Sequence, residues 1–339
     1  MKAARFHHHG DPDVLRYEDA PDPPRQPARA LVRVRACALN HLDLWQRRGI
    51  ARVRIPLPHI SGSDVSGEVL DAGGGAVAAG ARVLLHPGLN CGTCRPCREG
   101  RDSLCTTYGV LGFQSDGGYA EMVSVPVQNL IAIPDHIDFI EAAAFPLTFL
   151  TAWHMLVALA RVRQGDDVLV LAGGSGVGQA AIQIARLHGA RVLATAGPSK
   201  IDRTLALGAE AVFDHYATDF AKEARARTDG RGVDIVVEHV GEATWDRSVR
   251  ALANGGRLVT CGATTGHTAA LDLRHLFARQ LSLLGSYMGS RADLLEATPH
   301  FFEGRLKPVI DTVFPLEDAA EAQRRLEAGE QFGKIVLKC

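Results

Sequence analysis

Apolar residues recur along this chain with two different rhythms. Up to about residue 135 they alternate with polar ones over short runs. Leu31–Ala36, Val65–Leu70, Arg82–His86 and Glu121–Val127 each read as a strand with one face buried. Glycine and proline punctuate them at short spacing, which predicts a compact, barrel-like β domain. Pro21–Pro27 reads as a rigid surface linker. Pro134–Arg161 reads as helical, with Pro146 restarting a helix at its first turn and Phe149, Trp153 and Leu156 on one packed face. From Val168 the rhythm changes. The runs Val168–Ala172, Arg191–Ala194, Ala211–Phe213, Val233–His239, Gly256–Cys261 and Leu281–Tyr287 read as strands. The segments Val177–Leu187, Lys200–Leu207, Phe220–Thr228 and Thr244–Leu252 read as helices between them. That alternation predicts an α/β, doubly wound parallel sheet. Beyond Ala292 two helices and two strands, Val309–Phe314 and Lys334–Leu337, return to the first style. The β domain is therefore expected to be discontinuous, 1–147 with 290–339, around a parallel-sheet domain at 148–289.

The stretch VLVLAGGSGVGQAAIQIAR, Val168–Arg186, organises the second domain. An apolar strand runs into Gly173, Gly174, Ser175, Gly176, Val177 and Gly178, and then into a small-residue helix face at Ala180, Ala181, Ile184 and Ala185. Strand, glycine turn and helix form the first unit of a dinucleotide-binding fold. Its backbone can approach a pyrophosphate, and free N–H groups at the helix start bind the anion. Ser175 stands where the usual pattern has its middle glycine. The next strand decides which dinucleotide. NAD sites place a carboxylate near its end, but Ala194–Pro198 holds no acid. Thr195 lies within it, and Ser199, Lys200 and Arg203 follow. A missing acid and nearby cations point to the 2′-phosphate of NADPH, with NADH as the alternative.

Composition narrows the remaining chemistry. The chain has 339 residues, enough for two domains, and a net charge of −1 that argues against nucleic acid or an anionic membrane as partner. No apolar run is long enough to span a bilayer and the start is polar, with His7–His9 reading as a surface turn, so the expected location is the cytoplasm. Four of seven cysteines, Cys91, Cys94, Cys97 and Cys105, crowd into a lobe at about 88–106. In a cytosolic chain that spacing favours one closed structural Zn²⁺ over disulfides. Arg95 and Arg98 could offset the thiolate charge. A nucleic-acid-binding zinc ribbon is the rival use, but the loop lacks an aromatic and basic surface.

Together ALNHLDLWQRRG, GSDVSGEV, the four-cysteine lobe, DGGYAE at Asp116–Glu121, the GGSGVG turn and FGKIV at Phe332–Val336 resemble the medium-chain dehydrogenase/reductase superfamily. The resemblance runs over almost the whole chain and is nearest to proteins described as zinc-binding alcohol dehydrogenase or quinone oxidoreductase. It implies a GroES-like catalytic domain of β-barrel type plus a Rossmann domain. It also implies a second, catalytic zinc, and here the sequence departs. By motif position its cysteine falls at Asn40, its His-Glu pair at Ser63-Asp64 and its last ligand at about Leu147, while the relay hydroxyl and histidine fall at Leu42 and Trp45. His41 falls at a pyrophosphate contact. The cofactor set extends to Val240, Gly262, Ala263 and Lys334.

Without that zinc, hydride delivery to an already electrophilic carbon is the easier reaction, because a carbonyl oxygen then needs only hydrogen-bond donors. Asn40, Ser63 and Thr151 are the expected donors, with Asp43 and Asp64 orienting them or carrying a proton. The lead expectation is an NADPH-dependent reductase of enones or quinones. Two alternatives are a zinc alcohol dehydrogenase using Asp64 with Asp43 or His41, and an NADPH-binding protein without turnover. Trp45, Ile50–Ile55, Phe113, Leu147 and Tyr287–Met288 are expected to shape the substrate pocket. The apolar strand Leu281–Tyr287, last of its sheet, predicts a homodimer or homotetramer.

Overall fold

The computed structural model describes residues 1–51 and 53–339, so Arg52 of the expected pocket segment lies outside it. The chain forms two compact units, Met1–Leu147 with Ser290–Cys339, and Thr148–Gly289. Among the described residues no helix is long and apolar enough to cross a membrane.

The second unit is a six-stranded sheet in the order Ala211–Asp214, Arg191–Ala196, Asp167–Val170, Val233–Glu238, Leu252–Thr260 and Ser282–Gly285, every pair parallel. Leu169, Leu193, Phe213, Phe220, Val236 and Leu258 pack its core. The first strand stops at Val170, short of the expected Ala172, because the backbone turns there: Ala172 has φ 46° and Gly173 N donates to Thr195 O. A helix at Leu273–Ala278 was not legible. Of its large apolar residues Leu273 and Phe277 are exposed and Leu276 alone packs against the core, so it carries no buried stripe.

The stretch expected to be helical from Pro134 to Arg161 is interrupted. It resolves into Phe139–Ala144, capped by Asp138 accepting from Ile140 N, then Pro146–Trp153 and a π-helical segment His154–Leu159. The segment before Asp138 is not helical.

The first unit is built on the strand Arg29–Ala38, whose ten residues pair with three others. The sheet runs Ile310–Pro315, Lys334–Lys338, Arg29–Ala38, Asp64–Asp71, Arg82–Leu85, Leu130–Ala132, with Met122–Pro126 paired to the first half of the long strand. Gly67 is required at the crossing, since a Cβ there would sit 2.0 Å from Arg33 O. Residues 41–48 form the helix His41–Arg48. The Asp43 carboxylate accepts the Asn40 N–H at 2.8 Å, which satisfies a free donor at the helix start. Arg47 is fully buried, donating to Gln323 Oε1 and Glu327 Oε2 on the helix Ala319–Glu327.

Candidate active site

Sheet register brings the polar residues of the first unit together. Val336 faces Ala38, so continuing that antiparallel ladder sets Lys334 against Asn40. On the other side Ala38 faces Asp64, the first residue of its strand. Three segments thus deliver Asn40, Asp64 and Lys334 to one end of the sheet. Lys334 Nζ donates to Leu39 O at 2.7 Å, Asn40 Oδ1 at 2.7 Å and Asp64 Oδ2 at 2.9 Å. Asp64 Oδ2 also accepts from Asn40 Nδ2 at 2.9 Å, and Asp64 Oδ1 from Leu147 N at 2.7 Å. Asp64 is fully buried and Lys334 is 2% exposed.

Asp43 lies below this group. Its Oδ2 accepts from Asn40 N and, at 3.0 Å, from the Tyr119 hydroxyl. Burial raises its pKa to about 6, while those two hydrogen bonds and the Lys334 charge hold it down from going further. Ser63 is buried beside Asp64, and its Oγ has no hydrogen-bond partner among the described residues. His41 is the half-buried first residue of its helix. Thr151 lies in the second unit, buried on Pro146–Trp153.

A second zinc does not fit these residues. The only carboxylate among the implied ligands has both oxygens occupied, one by an amide N–H and the other by an ammonium and a second amide. Asn40 Oδ1 faces the same ammonium. A cation of the protein's own already stands among the donors, and Asn, Ser and Leu do not make up a soft or anionic set. Lys334 was expected at the cofactor. Its three protons are all committed to oxygens of its own unit, leaving none for a phosphate.

The four-cysteine lobe is different. The sulfurs of Cys91, Cys94, Cys97 and Cys105 all lie within 4.8 Å of one another, and among the described residues this is the only such cluster of metal-ligating side chains. Three of the separations are 3.4 Å for Cys94–Cys97, 3.5 Å for Cys91–Cys105 and 4.0 Å for Cys91–Cys97. A tetrahedron with Zn–S bonds of about 2.3 Å needs about 3.8 Å between sulfurs. Cys94 N donates to Cys91 Sγ and Cys91 N to Cys105 Sγ, so backbone dipoles face two of the thiolates. The set fits a closed Zn²⁺ site. Arg95 is held by Glu99 at 2.7 Å.

In the second unit Ser175 caps the helix Gly176–Leu187, its Oγ accepting from Gly178 N at 2.9 Å. That explains a serine at the middle of the glycine turn: it satisfies one of the helix's free donors. Gly178 cannot be replaced, because a Cβ would lie 2.3 Å from Ala172 O. Gly173, Gly174, Gly176 and Val177 make the remainder of the turn and helix start. Ala172 N donates to Thr195 Oγ1, so Thr195 is buried as a brace beneath the turn. His239 Nε2 donates to Leu171 O and lies 3.5 Å from Ser175 Oγ. Burial lowers its pKa and favours the neutral ring.

Three strand ends complete the cofactor candidates. Ser199 and Arg203 are exposed and Lys200 half-buried after Arg191–Ala196. Gly262 and Ala263 follow Leu252–Thr260. Val240 follows Val233–Glu238, where Glu238 Oε1 accepts from Val240 N and Gly241 N. The sequence reading missed His215 and Tyr216. Their rings meet edge-on at 4.2 Å, and a Cβ on Gly197 would lie 3.6 Å from Tyr216 and 3.9 Å from His215. The end of the third strand, Ala211–Asp214, was the signal available, since ligands in this sheet type gather at strand ends.

Residues 26–135 match the family of the alcohol dehydrogenase GroES-like domain, and residues 176–303 that of the zinc-binding dehydrogenase. A solved structure described as an NAD-dependent alcohol dehydrogenase is similar over the whole of both chains, with 48% identity and a TM-score of 0.96. The quinone oxidoreductase of Pongo abelii is 29% identical over 99% of this chain and 97% of its own. The crotonyl-CoA reductase of Streptomyces collinus is 29% identical over 96% of this chain and 81% of its own.

Proposed function

We propose, for a chain that belongs to the medium-chain dehydrogenase/reductase superfamily of zinc-type alcohol dehydrogenases and quinone oxidoreductase-like proteins, an NADPH-dependent reductase of activated C=C bonds or quinones that works without a catalytic zinc. The observation that carries it is the buried Lys334–Asp64 ion pair, whose ammonium stands among the donors that a second zinc would need. The relatives described as quinone oxidoreductase and crotonyl-CoA reductase support the acceptor classes.

The glycine turn, with its Ser175-capped helix, fits a dinucleotide pyrophosphate. Ser199, Lys200 and Arg203 fit a 2′-phosphate, and the exposed Tyr216 ring, braced edge-on by His215, offers one flat face at the adjoining strand end. When bound, NADPH supplies the hydride. The chain's own task is to stabilise charge developing on the acceptor's carbonyl oxygen, which hydrogen-bond donors fixed in advance do well. Asn40 Nδ2 and Ser63 Oγ are those donors. Water delivers the balancing proton, to carbon in an enone and to oxygen in a quinone, and Asp43 is a buried acid bonded to Asn40 N. Cys91, Cys94, Cys97 and Cys105 hold one structural Zn²⁺ that takes no part in the reaction.

The similarity to a structure described as an NAD-dependent alcohol dehydrogenase favours a second reading, alcohol oxidation through unusual zinc ligands. Metal analysis and turnover separate the two. About one zinc per chain, with NADPH oxidised by enones or quinones, supports the reductase. About two zincs, with alcohols oxidised by NAD⁺ and no enone or quinone turned over, overturns it. Ser282–Gly285 is an edge strand, and we read the protein as at least a homodimer paired through it. A single-chain mass by light scattering overturns that reading.

A further inference from the structure

Asn40 is held between a group that can only donate and one that can only accept. The Lys334 ammonium has no lone pair, so the atom facing it at 2.7 Å is the amide oxygen. The ion-paired Asp64 carboxylate has no proton, so the atom facing it at 2.9 Å is the amide nitrogen. Amide orientation, which is two-fold ambiguous for an isolated asparagine, has one solution here. Counting protons then leaves one. All three on Lys334 are used, by Leu39 O, Asn40 Oδ1 and Asp64 Oδ2. One on Asn40 Nδ2 is used by Asp64, and the other has no partner among the described residues. Asn40 is also the most exposed of the three, at 8%.

The lysine does more than fix the amide. A cation on the amide oxygen draws electron density from the nitrogen and makes its remaining N–H a stronger donor, and chains of hydrogen bonds polarise one another in this way. Lys334 also holds Leu39 O, the backbone immediately before Asn40. The geometry points to Lys334 as a positioning residue: through Asn40 Oδ1 it orients and polarises the one N–H left to meet the acceptor's carbonyl oxygen. This rests on the reductase reading above. Lys334 itself touches neither acceptor nor cofactor.

The test is a mutational cycle on the holoenzyme with NADPH and two probes, mesityl oxide and menadione. Removing Lys334 alone would strand the Asp64 charge, so the main variant carries Lys334→Met and Asp64→Asn together. It is expected to bind NADPH as wild type does, to keep its KM for each acceptor, and to lose kcat on the order of 100-fold, the scale of one lost oxyanion donor. Asn40→Ala alone is expected to lose as much, again on the order of 100-fold. The two losses are not expected to multiply, because Lys334 acts only through Asn40. Lys334→Arg keeps the charge, and with it the fold. A planar guanidinium cannot meet the three oxygens that an ammonium meets, so kcat is expected to fall on the order of tenfold at unchanged KM.

An undiminished kcat in Lys334→Arg, or in a folded Lys334→Met/Asp64→Asn protein, overturns the inference and leaves the reductase reading intact. So do losses that multiply across the cycle. A wild-type enzyme that reduces neither probe but oxidises alcohols overturns the reductase reading, and this inference with it.

Discussion

Tyr119 donates its phenolic hydroxyl to Asp43 Oδ2 at 3.0 Å, with both side chains fully buried. The carboxyl still has a pKa raised to about 6, chiefly by burial, from an ordinary value of 3.8. An acid with a raised folded pKa holds its proton more tightly folded than unfolded. Its contribution to stability is greatest below the unfolded pKa and is lost as pH rises through the folded one. The window here is about pH 4 to 6, and the loss amounts to about 3 kcal/mol. Asp43→Asn, which cannot ionise, is therefore expected to gain stability on wild type by up to that amount between pH 4 and 7. Urea unfolding of both proteins across that range checks it. A difference that does not change with pH would show that Asp43 does not titrate there.

The Lys334–Asp64 pair makes a separate prediction about stability. Neutralising one partner leaves the other charge buried and alone, at a cost of about 3–5 kcal/mol. Asp64→Asn or Lys334→Met alone is expected to lower the urea midpoint accordingly. The double variant should be much less destabilised than the sum of the singles. Additive losses would mean that the two groups do not sense each other.

Asp102 connects the cysteine lobe to the helix Arg291–Phe302. Its Oδ1 accepts from Arg291 N at 3.0 Å and its Oδ2 from Asn90 Nδ2 at 3.2 Å, one residue before Cys91. Stripping zinc with a chelator is expected to speed amide exchange in the lobe and also at Arg291–Asp293. In Asp102→Ala the helix start should exchange fast from the outset and not respond to the chelator. Exchange at 291–293 that ignores zinc in the wild type would break the connection.

Cofactor preference should follow Lys200 and Arg203. A hydrogen bond to a charged group is worth about 1.5–3 kcal/mol, so Lys200→Ala and Arg203→Ala should each raise the KM for NADPH about tenfold or more. The KM for NADH should stay unchanged. Equal effects on both cofactors would assign these cations to the pyrophosphate or to the fold.

Features with a local cause were legible in the sequence. The cysteine lobe depends on spacing within fifteen residues, and the strand–glycine–helix unit on one continuous run, so pattern alone identifies both. The helix His41–Arg48 was not legible, because it buries Asp43, Gln46 and Arg47, residues that normally mark an exposed turn. Asp43 and Arg47 go inward because Tyr119, Gln323 and Glu327 receive them, and no local pattern announces partners that lie far along the chain. Lys334 was assigned to the cofactor for the same reason. Its neighbours Asn40 and Asp64 precede it by 294 and 270 residues, and only sheet register joins them.

That separation sets an order of events during synthesis. Lys334–Lys338 lies between Ile310–Pro315 and Arg29–Ala38, inside the sheet rather than at its edge. A ribosome adding about 5–20 residues per second makes Lys334 roughly 15–60 seconds after Asn40. Until then Asp64 has no counter-ion, and half of the strand Arg29–Ala38 presents an open edge to any neighbouring chain. The parallel-sheet unit is complete well before this and can fold in the interval. A nascent chain therefore carries one finished domain and one unclosed sheet, and an arrest in its last turn of synthesis leaves a product with no assembled polar site and a sticky flank, the kind of molecule that chaperones and proteases select.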